Sequence, residues 1–167
     1  MIARHATGAH CAVEIGVYEG VTTLVIAASM APDGILYGVD PFLRGSLGIS
    51  YGKVITERAL RREHLSHKVQ LIEKFSYDAA PFVTAPLDFA FIDGDHHYEA
   101  IERDWSDWSV KIKLGGLIAL HDTQTPAHDL GVAGYGSVRY FRETIARDPR
   151  FQVVDSADSL NVLRRVT

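Results

Sequence analysis

Short apolar runs that end abruptly in charge recur along this chain. Ile35–Asp40 (ILYGVD), Val69–Glu73 and Leu87–Ile92 (LDFAFI) are rich in β-favouring side chains and stop at or beside a carboxylate, which predicts buried strands. Ala12–Val17 (AVEIGV) and Leu117–Leu120 read the same way, the latter closed by His121 and Asp122. Between these runs the apolar positions move to three- and four-residue spacing, the signature of helices. Val21–Ala31 carries Val21, Leu24, Val25 and Ala28 and stops at Pro32-Asp33-Gly34. Lys53–His64 sets Val54, Ala59, Leu60 and Leu65 inward against a charged face. His97–Lys113 aligns Tyr98, Ile101, Trp105, Trp108 and Ile112, with Gly115-Gly116 as its stop. Tyr77–Val83 is a short helix or turn cut by Pro81, and Val138–Ala146 a helix ended before Pro149. Residues 1–10 are small and polar and precede the first element. Residues 41–52 (PFLRGSLGISYG) and 123–136 are glycine-bearing loops, each a candidate lid. Phe151–Val154 and Leu160–Leu163 lie close enough to form an antiparallel hairpin. Strand, helix and strand within about 30 residues make a βαβ unit, so the class is α/β with a mostly parallel sheet.

Composition narrows the setting. With a single cysteine, Cys11, no internal disulfide can form, and no stretch has the layout of a secretory leader. The expectation is one cytoplasmic domain over 1–167, with no membrane span: the apolar run from Val21 to Met30 is short and broken by Thr22, Thr23 and Ser29. A net charge of -4 with interspersed signs argues against nucleic acid and for a small-molecule partner.

The candidate chemistry sits at the strand ends, where ligands bind in open parallel sheets. Glu14-Ile-Gly-Val-Tyr-Glu-Gly20, with Thr22 and Thr23 opening the next helix, has the glycines that allow a tight turn and close approach of a ligand. It departs from G-x-G-x-x-G because Tyr18 stands where a pyrophosphate would need the second glycine. Asp40, 24 residues after Gly16, is placed to accept ribose hydroxyls. A nucleoside cofactor without pyrophosphate satisfies both observations. Alone, each feature also reads as an ordinary strand-to-helix turn and a turn aspartate before Pro41. A second cluster, Asp93, Asp95, His96, His97, His121 and Asp122, offers acids and imidazoles for proton transfer, while Asp95 and His97 also read as helix-start residues. Trp105 and Trp108 read as core.

The segments VEIGVYEGVTT, LYGVDPF, LDFAFIDGDHHYEAIERDWSDW and LGGLIALHDT together resemble class I S-adenosylmethionine-dependent methyltransferases, across nearly the whole chain. The first segment is similar to the catechol O-methyltransferase type, and the later ones to a methyltransferase-domain group of tailoring enzymes for sugars and secondary metabolites. The resemblance implies a Rossmann-like doubly wound sheet with an antiparallel C-terminal strand, and O-methylation of a small hydroxylated metabolite or sugar. It implies that Glu14, Gly16, Tyr18, Gly20 and Thr22 surround the methionine end of S-adenosylmethionine and that Asp40 holds the ribose. Ser76 and Tyr77 would lie near the adenine, and Asp93 between cofactor and acceptor. It also implies that Asp93 and Asp122 are candidate ligands for Mg²⁺, although Thr123 stands where those enzymes have an Asn. His96 takes the place of their basic Lys as candidate general base, with His121 as its rival. Because the first strand starts near residue 11, the domain is expected to lack the N-terminal helices that cover the acceptor pocket in such enzymes. Cover would then come from a lid or from a partner chain, a second copy included.

Two rival classes remain at this stage. One is a metal-dependent hydrolase built on Asp93, Asp95, His96, His121 and Asp122. The other is a non-catalytic module or subunit that binds S-adenosylmethionine and depends on a partner.

Overall fold

Cys11–Ile15, the first strand (β1), is buried from Ala12 onward, and Ile35–Asp40 (β2) and Val69–Glu73 (β3) run parallel to it in the order β3-β2-β1. Val13 lies opposite Tyr37, and Tyr37 opposite Gln70. These strands belong to the first of two compact units, Met1–Thr84 and Ala85–Thr167, in a computed structural model that describes residues 1–167. Its helices are α1 (Ile2–Ala6), α2 (Val21–Ser29), α3 (Tyr51–Arg62) and α4 (Ser76–Ala79), the last continued by a 3₁₀ turn over Ala80–Phe82. Ser50 caps α3, its hydroxyl accepting from the Lys53 amide at 3.4 Å. Lys68, nearly buried, donates its ammonium to the carbonyls of Ala27 and Met30, satisfying groups that the end of α2 leaves without helical partners.

Three expectations for this unit change. Residues 2–6 form α1, which buries Ala6, where no element was expected. In α2 the buried side chains are Thr23, Ile26 and Ala27, not Val21, Val25 and Ala28. Apolar residues occur on both sides of this helix, so their spacing alone cannot select the inward face. In α3 the buried pair is Thr56 and Leu60, whereas Val54 is 49% exposed; Thr56 is drawn inward by hydrogen bonds described below.

The second unit contains β4 (Leu87–Ile92), β5 (Ile112–Leu120), β6 (Phe151–Ala157) and β7 (Leu160–Arg165), ordered β4-β5-β7-β6. β4 and β5 are parallel, β7 is antiparallel to β5, and β6 and β7 form the expected hairpin. α5 (Tyr98–Trp108) and α6 (Gly136–Glu143) complete it. α5 stops earlier than its periodicity predicts. A 3₁₀ turn over Ser109–Lys111 follows, and Ile112 already opens β5 opposite Leu87. Trp108 and Ile112 have helical spacing, yet each is buried by a different element, so the stripe runs past the helix end. Gly115 and Gly116 lie inside β5, where the register jumps from Leu87↔Ile112 to Phe89↔Leu117. Gly115 has φ 79°, and a Cβ on Gly116 would lie 3.0 Å from the Leu87 carbonyl oxygen. The loop 123–136 carries a 3₁₀ turn, Leu130–Gly134. No helix is long and apolar enough to cross a membrane.

Trp105 and Trp108 are core, as expected. The Trp105 indole donates to Asp148 at 3.3 Å and packs on Phe151 with centroids 4.8 Å apart. The Arg150 guanidinium beside Asp148 holds that carboxyl below its ordinary range. A lowered native pKa supplies stability above the unfolded-state value, about 3.9, that disappears as pH falls through the native value. Asp148→Asn is therefore expected to lose on the order of 1–3 kcal/mol at pH 7. The gap to wild type should close in strong acid, as read from urea midpoints over a pH series. A gap independent of pH would remove the ionic account.

Candidate active site

In the first unit the chain leaves β1 through Gly16 (φ 89°), Tyr18 (φ 51°) and Gly20 (φ 80°). Left-handed backbone costs a side-chain-bearing residue about 1–2 kcal/mol, so the strain falls on Tyr18, whose residue is 75% exposed. Asp40 braces this turn. Its Oδ2 accepts the amides of Val17 and Tyr18 at 3.1 and 3.0 Å, and its Oδ1 accepts that of Phe42 at 2.7 Å. A carboxylate offers about four acceptor positions, so one remains for a ligand hydroxyl unless a backbone bond is surrendered. α3 closes the turn from the other side. The Thr56 hydroxyl donates to Gly52 O at 2.9 Å and lies 3.4 Å from Tyr18 O. A Cβ on Gly20 would sit 2.7 Å from the Thr56 methyl.

Glu14 is fully buried, and Thr23 donates to its Oε2 at 2.5 Å. Of the two threonines that open α2, the resemblance assigns the half-buried Thr22 to the cofactor, and it is Thr23 that bonds Glu14. Ser76 opens α4, and Tyr77 stacks on Phe75 with centroids 5.6 Å apart and rings nearly parallel. Glu14, Gly16, Tyr18, Gly20 and Asp40 are thus joined in one turn-and-strand-end assembly, with Ser76 and Tyr77 on the element after β3.

In the second unit Asp93 follows β4, and His121 and Asp122 follow β5. The His121 amide donates to Ile92 O at 2.9 Å, bringing the two strand ends together. His121 Nδ1 is buried and lies 2.9 Å from Asp93 Oδ1 and 3.3 Å from Asp122 Oδ1, neither of them well aligned as a hydrogen bond. Its Nε2 is 3.2 Å from Ser159 Oγ. The Asp93 carboxylate, foremost, raises the His121 pKa above the ordinary imidazole value against the opposing effect of burial; Asp122 and Asp158 add to the rise. The other oxygen of Asp122 faces His96 Nε2 at 3.5 Å, and the His96 ring stacks on Tyr135 with centroids 5.1 Å apart. Asp93, His121, Asp122 and His96 therefore form one continuous chain of groups. Asp95 and His97 stand apart as an exposed pair: Asp95 Oδ1 accepts the His97 amide at 2.9 Å and meets its Nδ1. That contact with Asp95 raises the His97 pKa. Asp95 thus fixes the residue before α5, whose N-cap His97 makes no side-chain cap of its own.

Of the residues that surround this chain of groups, Ser137 carries no sequence signal. Ser137, at the start of α6, donates its amide to His96 O at 3.0 Å and its hydroxyl to Asp122 O at 2.5 Å. Asp122 has φ 48°. Thr123 donates its hydroxyl to Leu120 O at 2.9 Å and accepts from Asn161 at 3.0 Å.

A hard divalent cation takes about six oxygen ligands, of which the protein need supply only one or two free carboxylates, water providing the rest. The donor set here does not fit one. Asp93 and Asp122 face imidazole nitrogens, Thr123 is committed to Leu120 and Asn161, and no group of three or more His, Cys, Asp or Glu side chains is arranged to hold a metal ion.

The parallel strands, their flanking helices and the antiparallel end define an α/β, Rossmann-like class I methyltransferase fold. The O-methyltransferase TomG from Streptomyces achromogenes, solved in complex with SAM, shares it with a TM-score of 0.72 at 19% identity, over 99% of this chain and 77% of TomG. The chain belongs to the methyltransferase-domain family, whose sequence model, "Methyltransferase domain", matches residues 13–123. Membership makes it a methyltransferase. Among curated proteins it is similar to tricin synthase 1 of Oryza sativa subsp. japonica, 27% identical over 186 residues, covering 95% of this chain and 68% of that protein. It is also similar to tapetum-specific methyltransferase 1 of Arabidopsis thaliana, 25% identical over 92% of this chain and 69% of that protein.

Proposed function

We propose that this chain transfers the methyl group of S-adenosylmethionine to a hydroxyl oxygen of a small acceptor, with His96 as general base. The carrying observation is the pairing of His96 with Asp122 at the end of β5, within the segment that the family shares. The acceptor oxygen attacks the methyl carbon in line from about 3–3.5 Å, and the carbon–sulfur bond breaks with its electron pair going to sulfur. S-adenosylhomocysteine leaves, and the hydroxyl proton passes to His96. Asp122 orients that imidazole and stabilises the cation it becomes, and Tyr135 fixes the plane of its ring.

Glu14, Gly16, Tyr18, Gly20, Thr22 and Asp40 bind the cofactor, and Ser76 and Tyr77 serve its adenine. With three amides already on its oxygens, Asp40 takes one ribose hydroxyl and must release an amide to take both. Names of relatives favour oxygen as the accepting atom, since TomG is an O-methyltransferase. Calorimetry with S-adenosylmethionine, followed by methyl transfer to a panel of hydroxylated metabolites, tests this. No binding at about 1 mM cofactor would overturn the reading. Binding without transfer to any acceptor would leave a cofactor-binding module.

A further inference from the structure

We infer that His121 occupies the place between Asp93 and Asp122 that a divalent cation would need, so that the two carboxylates clamp an imidazole in this chain instead of a metal ion. An oxygen-bound Mg²⁺ sits about 2.1 Å from its ligand atoms. His121 Nδ1 already lies 2.9 Å from the Asp93 carboxylate and 3.3 Å from that of Asp122, within the space that a cation bridging the two would have to share. The ring is held on several sides. Its own amide is bonded to Ile92 O, Nε2 meets Ser159 Oγ at 3.2 Å, and Phe91 abuts its edge with centroids 6.3 Å apart.

The neighbouring backbone is fixed as well. Asp122 O accepts the Ser137 hydroxyl, and Ser159 O accepts the Thr123 amide at 3.0 Å. Swinging the ring aside to admit an ion would give up its Nε2 contact with the hairpin residue Ser159. The second oxygen of Asp122 is directed at His96, which ties the clamp to the proposed base. In the reaction proposed above, on which this role depends, His121 is a positioning residue: it holds one oxygen of the Asp122 carboxylate whose other oxygen faces His96.

Removing the ring should create a cation site. Mn²⁺, followed by electron paramagnetic resonance of the free ion, is the probe. Wild type is expected to leave Mn²⁺ free at about 0.1 mM. His121→Ala is expected to bind it at least about tenfold more tightly than wild type does, and Asp93→Asn added to that variant should abolish the gain. No gain in His121→Ala overturns the inference. So does wild-type binding that Asp93→Asn or Asp122→Asn removes. Wild-type imidazole NMR decides the matter should the variant not fold: Mn²⁺ that selectively broadens the His121 and His96 ring signals refutes the clamp, and unbroadened signals support it. None of these measurements depends on methyl transfer, so a failure here is distinct from a failure to bind S-adenosylmethionine.

Discussion

Gly136→Ala is expected to destabilise the protein by about 3–5 kcal/mol, combining overpacking with the loss of two hydrogen bonds. An added Cβ would lie 2.1 Å from the Tyr98 nitrogen, 2.7 Å from its Cα and 2.8 Å from the His97 carbonyl carbon. All three are backbone atoms at the start of α5, so no flexible side chain can yield. The start of α6 must move instead, and the Ser137 bonds to His96 O and Asp122 O break with it. The edge contact of Tyr140 on Tyr98, with centroids 5.1 Å apart, goes the same way. At about 2–4 °C per kcal/mol for a chain of this size, the midpoint of thermal unfolding should fall by roughly 6–20 °C. Activity should fall further than the folded fraction explains, because the broken bonds position His96 and Asp122. Ser137→Ala is the control. It loses the hydroxyl bond alone and should cost on the order of 1 kcal/mol. A Gly136→Ala midpoint within about 2 °C of wild type would show that the two helix starts are not locked.

The contrast with Gly20 shows which parts of the fold the sequence displays. Both glycines are punctuation on paper, but a Cβ at Gly20 meets a threonine side chain, whereas one at Gly136 meets backbone from a distant element. Strands β2, β3 and β4 are legible to the residue because a short apolar run closed by charge is a local signal. The end of α5 is not, since Ile112 satisfies helical spacing while belonging to a strand. A step of one residue turns a helix by about 100°, which separates Thr22, half-buried, from Thr23 against Glu14. The site divides in the same way. Asp40, Asp93, His121 and Asp122 announce themselves as polar residues at strand ends. Ser137 and Ser159, which meet Asp122 and His121, and Asn161, which bonds Thr123, come from a helix start and a hairpin with no periodic or motif signature. The surroundings of the carboxylates are likewise hidden in the sequence: two aspartates at adjacent strand ends suggest a cation, and nothing local signals that an imidazole nitrogen lies within 2.9 and 3.3 Å of them.

His96→Gln is expected to lower kcat by about 10²–10⁴-fold while leaving S-adenosylmethionine affinity within about twofold of wild type. The choice of His96 over His121 rests on occupancy and charge. Carboxylates flank Nδ1 of His121 and a serine hydroxyl meets its Nε2, so neither nitrogen is presented to an acceptor without displacing a partner. Its raised pKa, caused first by Asp93, also keeps the proton on that ring to higher pH than on an ordinary histidine, which leaves less of it free to accept one. In His96, by contrast, Asp122 addresses Nε2 and Tyr135 supports the face, the arrangement of an oriented base. Asp122→Asn should therefore reproduce much of the His96→Gln loss, and the double variant should lose little more than His96→Gln alone, because the two act as one unit. Additive losses would separate their roles. A His96→Gln enzyme that keeps kcat within about threefold of wild type, alongside a His121→Gln enzyme reduced by about 10²-fold or more, would transfer the base assignment to His121. In that case the Ser159 hydroxyl on Nε2 becomes the group that an acceptor must displace, and Ser159→Ala should then raise acceptor affinity instead of leaving it unchanged.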